Sequence, residues 1–174
     1  LIAAAQNGKK VTVFVELKAR FDEENNLATA ELMEKAGIHI IYSIPGLKVH
    51  AKVALILRFH KDGRPKKSFA YISTGNFNEK TATVYADSAL FTSNEELVED
   101  LSNLFRLLRK EITEPQFKRL WVPRFNLLSE LKRRIGLEAN MALAGKKAHI
   151  ILKMNALQDP AMIDELYRAS EAGV

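Results

Sequence analysis

The chain has 174 residues, of which 47% are hydrophobic and 27% are charged, and its formal net charge is +5. This composition is typical of a globular protein and excludes a disordered tail. Because the sequence has no cysteine, it excludes disulfides, a thiolate zinc site and a cysteine nucleophile. Apolar runs stay far below the ~20 residues of a membrane-spanning helix, and residues 1–7 lack signal-peptide features. We expect a cytoplasmic protein without membrane insertion and, since residue 1 is not Met, a segment of a longer chain.

The periodicity of apolar residues predicts strands and helices that alternate along the first part of the chain. The predicted elements are a strand at 11–16, a helix at 22–36, strands at 39–43, 48–58 and 68–73, a short helix at 78–84, a strand at 87–92 and a helix at 94–110. Alternation of this kind predicts an α/β sheet covered by helices on both faces.

The remainder of the chain is predicted to begin with a linker and to continue with similar elements. Residues 111–123 contain two prolines, and the elements after them are a helix at 126–142, a strand at 149–154 and a helix at 160–172. Gly-Lys-Lys precedes both predicted first strands, and both following helices end in Ala-Gly followed by Ile or Val. We interpret this as an internal duplication with three parts, namely a first half at 1–110, a linker at 111–123 and the truncated start of a second half at 124–174.

The positive charge is concentrated in residues 46–80, which carry a net charge of +6. A local basic excess of this size favours a polyanionic partner. Within this segment, residues 61–67 have the Gly and Pro content of a turn, and we interpret their charges as those of a solubilising loop.

The strand predicted at 48–58 carries the first candidate site. Alternate side chains of a strand share a face, so Lys48, His50 and Lys52 are expected to point the same way. From Val53 onward both faces are apolar, which predicts a central strand buried on both sides. Two flanking ammonium groups favour the neutral imidazole that a nucleophile requires, and they are suited to phosphoryl oxygens. On spacing alone, a structural histidine remains the alternative.

A polar turn after the strand at 68–73 carries the second candidate site. Thr74, Gly75 and Asn76 follow the strand, and Asn78 is placed to cap the next helix. Exposed backbone N–H groups at such a turn are suited to bind an anion. An ordinary helix cap is the alternative interpretation.

Together, the two sites resemble the signature of the phospholipase D superfamily, whose members use a histidine nucleophile on phosphate. The superfamily usually has an Asp five residues after the lysine, whereas Leu57 occupies that position here. Longer stretches resemble the type 1 polyphosphate kinase family, a branch that itself lacks this Asp. These stretches are residues 15–24, 45–52 and 73–81, together with Tyr85 and Asp87.

The resemblance implies a phospholipase D-like mixed sheet flanked by helices. It also implies reversible transfer of the terminal phosphoryl group of ATP to inorganic polyphosphate through a phosphohistidine. His50 matches that histidine and Lys52 the lysine beside it, which gives both a catalytic role. Nucleotide or phosphate binding is expected for Tyr85, Arg20, Asn76, Gly75 and Lys48.

Mg²⁺ is the implied cofactor, and Arg20 matches an arginine assigned to the magnesium site. Because a guanidinium has no lone pair for a cation, we expect Arg20 to bind phosphate oxygens that the magnesium also binds. The implied partners are ATP or ADP and polyphosphate, with no nucleic acid. A homo-oligomer and a peripheral membrane association are both compatible with the sequence.

Two other functions stay open from the residues alone. One is a phosphodiesterase, in which water attacks the covalent intermediate. The other is a module that binds polyanions without chemistry, in which lysines merely frame His50. Because the superfamily site is assembled from two halves, we expect these 174 residues alone to have little or no activity.

Overall fold

The computed structural model describes residues 1–17 and 23–174. It divides into two compact units, Leu1–Lys118 and Arg119–Val174. The first unit contains α1 (Ile2–Gln6), β1 (Thr12–Val15), α2 (Glu23–Lys35), β2 (His39–Tyr42), β3 (Lys52–Phe59), β4 (Pro65–Ser73), α3 (Glu79–Ala82), β5 (Ala89–Thr92) and α4 (Glu95–Leu108). The second unit contains α5 (Leu127–Leu143) and α6 (Pro160–Glu171).

A parallel pair of strands, β1 and β2, opens the first unit, with Thr12 opposite His39 and Val15 opposite Tyr42. Parallel strands need a crossover connection, which here includes α2. The helix buries Ala30 and Met33 against residues of β2 and its approach. Both strands end at the same edge, so the residues that follow them are brought together there.

A three-stranded antiparallel sheet has the order β3-β4-β5. The turn interpreted from residues 61–67 is part of a hairpin that joins β3 and β4. It includes Gly63 at φ +83°, a conformation that glycine adopts without a steric penalty. The β3–β4 register shifts once, because Phe69 lies opposite Ile56 whereas Lys66 lies opposite Arg58. β4 therefore carries one extra residue in a β-bulge.

The strand predicted at 48–58 differs from the observed one in two ways. β3 begins at Lys52 and not at residue 48, because the Val49 N–H is bonded to the Glu16 carboxylate and not to a neighbouring strand. Among the described strands, β3 pairs with β4 alone, so it is an edge strand of this sheet and not a central one. Its apolar residues are not buried on both faces, since Ile56 is 52% exposed. A run of apolar residues is therefore not sufficient to predict that both faces of a strand are buried.

The second unit is built on the contact between α5 and α6. Ile135, Met162 and Ala169 form its buried cluster. The strand predicted at 149–154 is wrong, because these residues are not in a strand. A strand requires a neighbouring strand to complete its hydrogen bonds, and the His149 N–H instead donates to Glu138 Oε2 at 3.1 Å.

The predicted α/β class is confirmed, with sheets accompanied by helices. The observed strands of the first unit form one parallel pair and one antiparallel sheet in place of the single sheet expected from the alternation. Of the helices in the described residues, none has the length and apolar character that crossing a membrane requires.

Candidate active site

The imidazole of His50 lies on the surface, in the segment between β2 and β3. Lys52 Nζ lies 3.1 Å from both His50 Nδ1 and His50 Nε2, and 2.6 Å from the His50 carbonyl oxygen. An ammonium group only donates hydrogen bonds, so a ring nitrogen that accepts from it has no proton of its own. A neutral imidazole has one such nitrogen, so only one of the two ring contacts can be a hydrogen bond from the ammonium group.

Strand pairing brings Lys52 close to the glycine turn. Lys52 lies opposite Ser73 in the β3–β4 ladder, and Gly75 follows two residues later. The two candidate sites of the sequence are therefore neighbours in the fold. Lys48 is exposed and precedes β3, so the expectation that it shares a strand face with His50 and Lys52 is wrong.

Asp87 lies against the glycine turn, in the segment before β5. A Cβ placed on Gly75 would lie 2.5 Å from Asp87 Oδ2, so the approach of the carboxylate requires glycine there. Burial lowers the pKa of Lys52, and the negative charge of Asp87 acts in the opposite direction. Asp87 is thus the acidic counterpart of Lys52. From sequence, Asp87 is only one residue of a longer motif, because its approach to Gly75 depends on the pairing of β4 with β5.

The backbone amides of the turn are not all available to an anion. The Thr74 N–H donates to the Ser88 carbonyl at 3.0 Å, and the Gly75 N–H donates to Ser73 Oγ at 2.9 Å. The expectation of exposed backbone N–H groups is therefore wrong for these two residues. Asn76 is exposed, so its side-chain amide is the donor that this turn offers to solvent. Asn78 caps α3 as predicted, accepting from the Thr81 N–H at 3.0 Å.

Of the two remaining candidate residues, the structure describes Tyr85. Tyr85 follows α3, and its side chain is 68% exposed, two residues before Asp87. Its backbone N–H donates to the Thr81 carbonyl at 3.1 Å. Arg20 lies outside the described residues.

Glu16 is a site residue that sequence reasoning missed. Its Oε1 accepts from the Ser43 hydroxyl at 2.7 Å, and its Oε2 accepts from the Val49 N–H at 3.0 Å. Ser43 Oγ in turn accepts from the Leu17 N–H at 3.0 Å. Glu16 therefore links the ends of β1 and β2 to the residue before His50. Its position as the last residue of the strand predicted at 11–16 was the available signal.

The described residues do not fit a resident magnesium ion. Within residues 1–17 and 23–174, no three His, Asp or Glu side chains form a group that could hold a metal. Mg²⁺ prefers several oxygen ligands, whereas Lys52 places an ammonium group next to His50. A magnesium ion at this surface would have to arrive with phosphate oxygens.

Comparison with known proteins gives a consistent result along the whole chain. Residues 1–114 match the family model for polyphosphate kinase C-terminal domain 1, and residues 120–174 match the one for C-terminal domain 2. The chain is 45% identical over 174 residues to a polyphosphate kinase of Vibrio vulnificus (strain CMCP6), covering 100% of this chain and 25% of the relative. It is also 45% identical over 174 residues to a polyphosphate kinase of Thermosynechococcus vestitus, again over 100% of this chain and over 24% of the relative.

The fold is also similar to a solved structure. The crystal structure of polyphosphate kinase from Porphyromonas gingivalis aligns with a TM-score of 0.86 and 53% sequence identity, over 99% of this chain and 29% of that chain. The chain thus spans about a quarter of the length of the curated relatives described above. Because the first family model covers well over half of its residues, the chain belongs to the polyphosphate kinase family.

Proposed function

We propose that the protein containing this chain is a polyphosphate kinase that transfers the terminal phosphoryl group of ATP to inorganic polyphosphate, reversibly, through a phosphohistidine at His50. The observation that carries the proposal is the exposed imidazole of His50 with the Lys52 ammonium group 3.1 Å from its ring nitrogens. The names of the relatives support the same substrates, since each is called a polyphosphate kinase.

The first half-reaction uses the lone pair of His50. An unprotonated ring nitrogen attacks the terminal phosphorus of ATP, a P–N bond forms, and the P–O bond to ADP breaks with its electron pair leaving on ADP. The other ring nitrogen keeps its proton. In the second half-reaction, a terminal oxygen of polyphosphate attacks the same phosphorus, and the P–N bond breaks to restore the imidazole. Run backwards, these steps make ATP.

The surrounding donors stabilise the phosphoryl oxygens during transfer. Lys52 is already in place beside the ring, and we propose that the exposed side chains of Lys48 and Asn76 bind oxygens of the same phosphoryl group. Preorganised donors of this kind are usually the largest electrostatic contribution to such a reaction. Gly75 acts indirectly, because it leaves room for the carboxylate of Asp87 beside Lys52.

Nucleotide recognition is proposed for residues beyond this cluster. Tyr85 has an exposed ring that suits stacking or hydrogen bonding with a nucleotide. For Arg20 we propose a bidentate contact with phosphate oxygens. In the same proposal, Mg²⁺ enters as part of the Mg–ATP substrate.

The domain organisation and location belong to the same proposal. Residues 1–110 act as a phospholipase D-like half, 111–123 as a linker, and 124–174 as the start of a second such half. The two family models, which meet near residue 120, support a division in this region. We propose the cytoplasm as the location, because it supplies ATP.

The test is phosphoenzyme formation by the full-length protein that carries this chain. Incubation with γ-labelled ATP and Mg²⁺ is expected to give an acid-labile, base-stable protein label that passes to added polyphosphate. His50→Ala should abolish the label. His60→Ala, which changes an exposed histidine of the β3–β4 turn, should retain it.

Three outcomes would contradict the proposal. An undiminished label in His50→Ala would place the phosphoryl group on another residue. Cleavage of a phosphodiester without transfer to polyphosphate would favour the phosphodiesterase. Polyphosphate binding with no label at all would leave a binding module without chemistry.

A further inference from the structure

A carboxylate next to β1 holds the backbone beside His50. Glu16 follows β1 directly, is half-buried, and uses both carboxylate oxygens. One oxygen accepts from the Ser43 hydroxyl at the end of β2, and the other accepts from the N–H of Val49. The geometry points to a role for Glu16 as a positioning residue for His50, an inference that rests on the proposed phosphotransfer function.

The contact acts at the point where the chain passes from the parallel pair to the antiparallel sheet. Residues 43–51 connect β2 with β3 and contain no strand or helix of their own. Backbone hydrogen bonds hold the start of this segment, as between the Leu47 N–H and the Ile44 carbonyl at 3.0 Å. The Glu16 contact holds its far end, one residue before the nucleophile.

The chemistry of the contact suits a positioning role. A hydrogen bond to an ionised carboxylate is roughly twice as strong as one between neutral groups. The Ser43 hydroxyl fixes the carboxylate, because it donates to Glu16 and accepts from the Leu17 N–H. A rigid pair of parallel strand ends therefore determines where the Val49 amide lies.

Loss of this contact should slow chemistry more than it weakens substrate binding. A shift of about 1 Å in a reacting group costs up to about 100-fold in rate. Glu16 contacts Ser43 and the backbone N–H of Val49, and neither of these residues is among those proposed to bind the nucleotide. Displacement of the ring should therefore leave nucleotide affinity nearly unchanged.

The experiment measures single-turnover labelling of His50 by γ-labelled ATP in the full-length protein. We expect Glu16→Ala to lower the maximal labelling rate by about 10- to 100-fold, with the ATP concentration for half-maximal rate changed less than about twofold. Glu16→Gln should recover much of the rate, because its carbonyl oxygen can accept from Val49 while its amide donates to Ser43. Glu31→Gln, on the exposed face of α2, serves as the matched control and should react at the wild-type rate.

The outcomes separate this inference from the proposed function. No label on wild-type His50 would overturn the proposed function itself. Normal labelling of the wild type together with a wild-type rate in Glu16→Ala would overturn the positioning role alone. If Glu16→Ala fails to fold, the Glu16→Gln variant provides the test. A Glu16→Gln protein that unfolds near the wild-type temperature but labels His50 at least 10-fold more slowly would contradict the inference, because its side-chain oxygen can still accept from the Val49 N–H.

Discussion

At the scale of single residues, two lysines of the first unit experience opposite electrostatic surroundings. Burial lowers the pKa of Lys52, and the charge of Asp87 only partly opposes it. The Lys118 ammonium group lies 2.6 Å from Glu99 Oε2, and this hydrogen bond raises the pKa of Lys118. Burial disfavours the charged form of an amine, whereas a carboxylate stabilises it.

These directions predict different reactivity toward an acylating reagent, because only the neutral amine has a lone pair with which to attack it. As pH rises, we expect Lys52 to become reactive at a lower pH than Lys118 in the full-length protein. Peptide mapping by mass spectrometry across a pH series measures both residues in one sample. The prediction is wrong if Lys118 reacts first.

Matched substitutions test the causes assigned to the two pKa changes. Asp87→Asn removes the charge that raises the pKa of Lys52, so it should move the onset of Lys52 reactivity to still lower pH. Glu99→Gln should move the onset for Lys118 downward as well. Each substitution should leave the other lysine unchanged, since the two carboxylates act on different amines.

The residues of the candidate site were only partly predictable from sequence. His50 and Lys52 stand two positions apart, so their proximity follows from local spacing. Glu16 and Asp87 could not be placed in this way, because they reach the site through pairing that joins distant parts of the chain. The backbone amide of Thr74 was misjudged for the same reason, since it donates to the carbonyl of Ser88 in a distant part of the chain. The amide of Gly75 was misjudged for a local reason, because it donates to the hydroxyl of Ser73.

At the scale of elements, the helix caps follow the sequence closely. Asn94, the first residue of the helix predicted at 94–110, is the N-cap of α4, and its side chain accepts from the Leu97 N–H at 3.1 Å. Asp159 is the N-cap of α6, and its side chain accepts a hydrogen bond from the Met162 N–H at 2.9 Å. Such caps depend on a few adjacent residues, which is why local sequence predicts them.

We expect removal of the Asn94 cap of α4 to cause a measurable loss of stability. Asn94→Ala should lower the free energy of unfolding by about 1 kcal/mol, because the Leu97 N–H loses its partner. Asn94→Asp should retain most of the stability, since its carboxylate accepts the same hydrogen bond. Urea unfolding of the full-length protein, followed by a probe in the first unit, measures the change. A loss below about 0.3 kcal/mol would contradict the capping role, as the usual range begins near 0.5.

Strand boundaries and strand burial were the less predictable elements. Residues 48–51 have strand-like alternation but are not in β3, and residues 149–154 have a strand-like composition without being a strand. In both cases, whether the segment forms a strand depends on a neighbouring strand with which it could pair. The local sequence pattern carries no information about that neighbour. The apolar residues of β3 likewise show that the strand is hydrophobic, but they do not show whether another element packs on each of its faces.

At the scale of the whole molecule, the structure separates the basic segment into two regions. β3 has 8 residues, and at ~3.3 Å per residue its two ends lie about 23 Å apart. Lys52 is at the end near His50, whereas the charges of residues 61–67, here called the turn charges, are at the hairpin turn and in the first residues of β4. Under physiological salt, the Debye length is about 8 Å, so exposed charges at the turn are screened from the histidine.

This separation predicts that the turn charges contribute little to chemistry. The double variant Lys66→Gln, Lys67→Gln should change the labelling rate of His50 less than about twofold at physiological salt. Lys52→Gln should lower that rate strongly, because its ammonium group contacts the ring directly. Single-turnover labelling measures both in the same assay. A tenfold fall in the double variant would mean that the turn takes part in the reaction.

The β-bulge in β4 has a consequence for how this hairpin tolerates changes in length. Ser68 secures the irregularity, because its hydroxyl accepts from the Arg58 N–H at 3.1 Å and donates to the Lys66 carbonyl at 2.9 Å. Pairs on the inner side, from Lys52 with Ser73 to Ile56 with Phe69, keep one continuous register. Insertions or deletions between Arg58 and Ser68 should therefore change only the turn end of the hairpin. The length of that end can vary while Lys52, next to the proposed nucleophile, keeps its position.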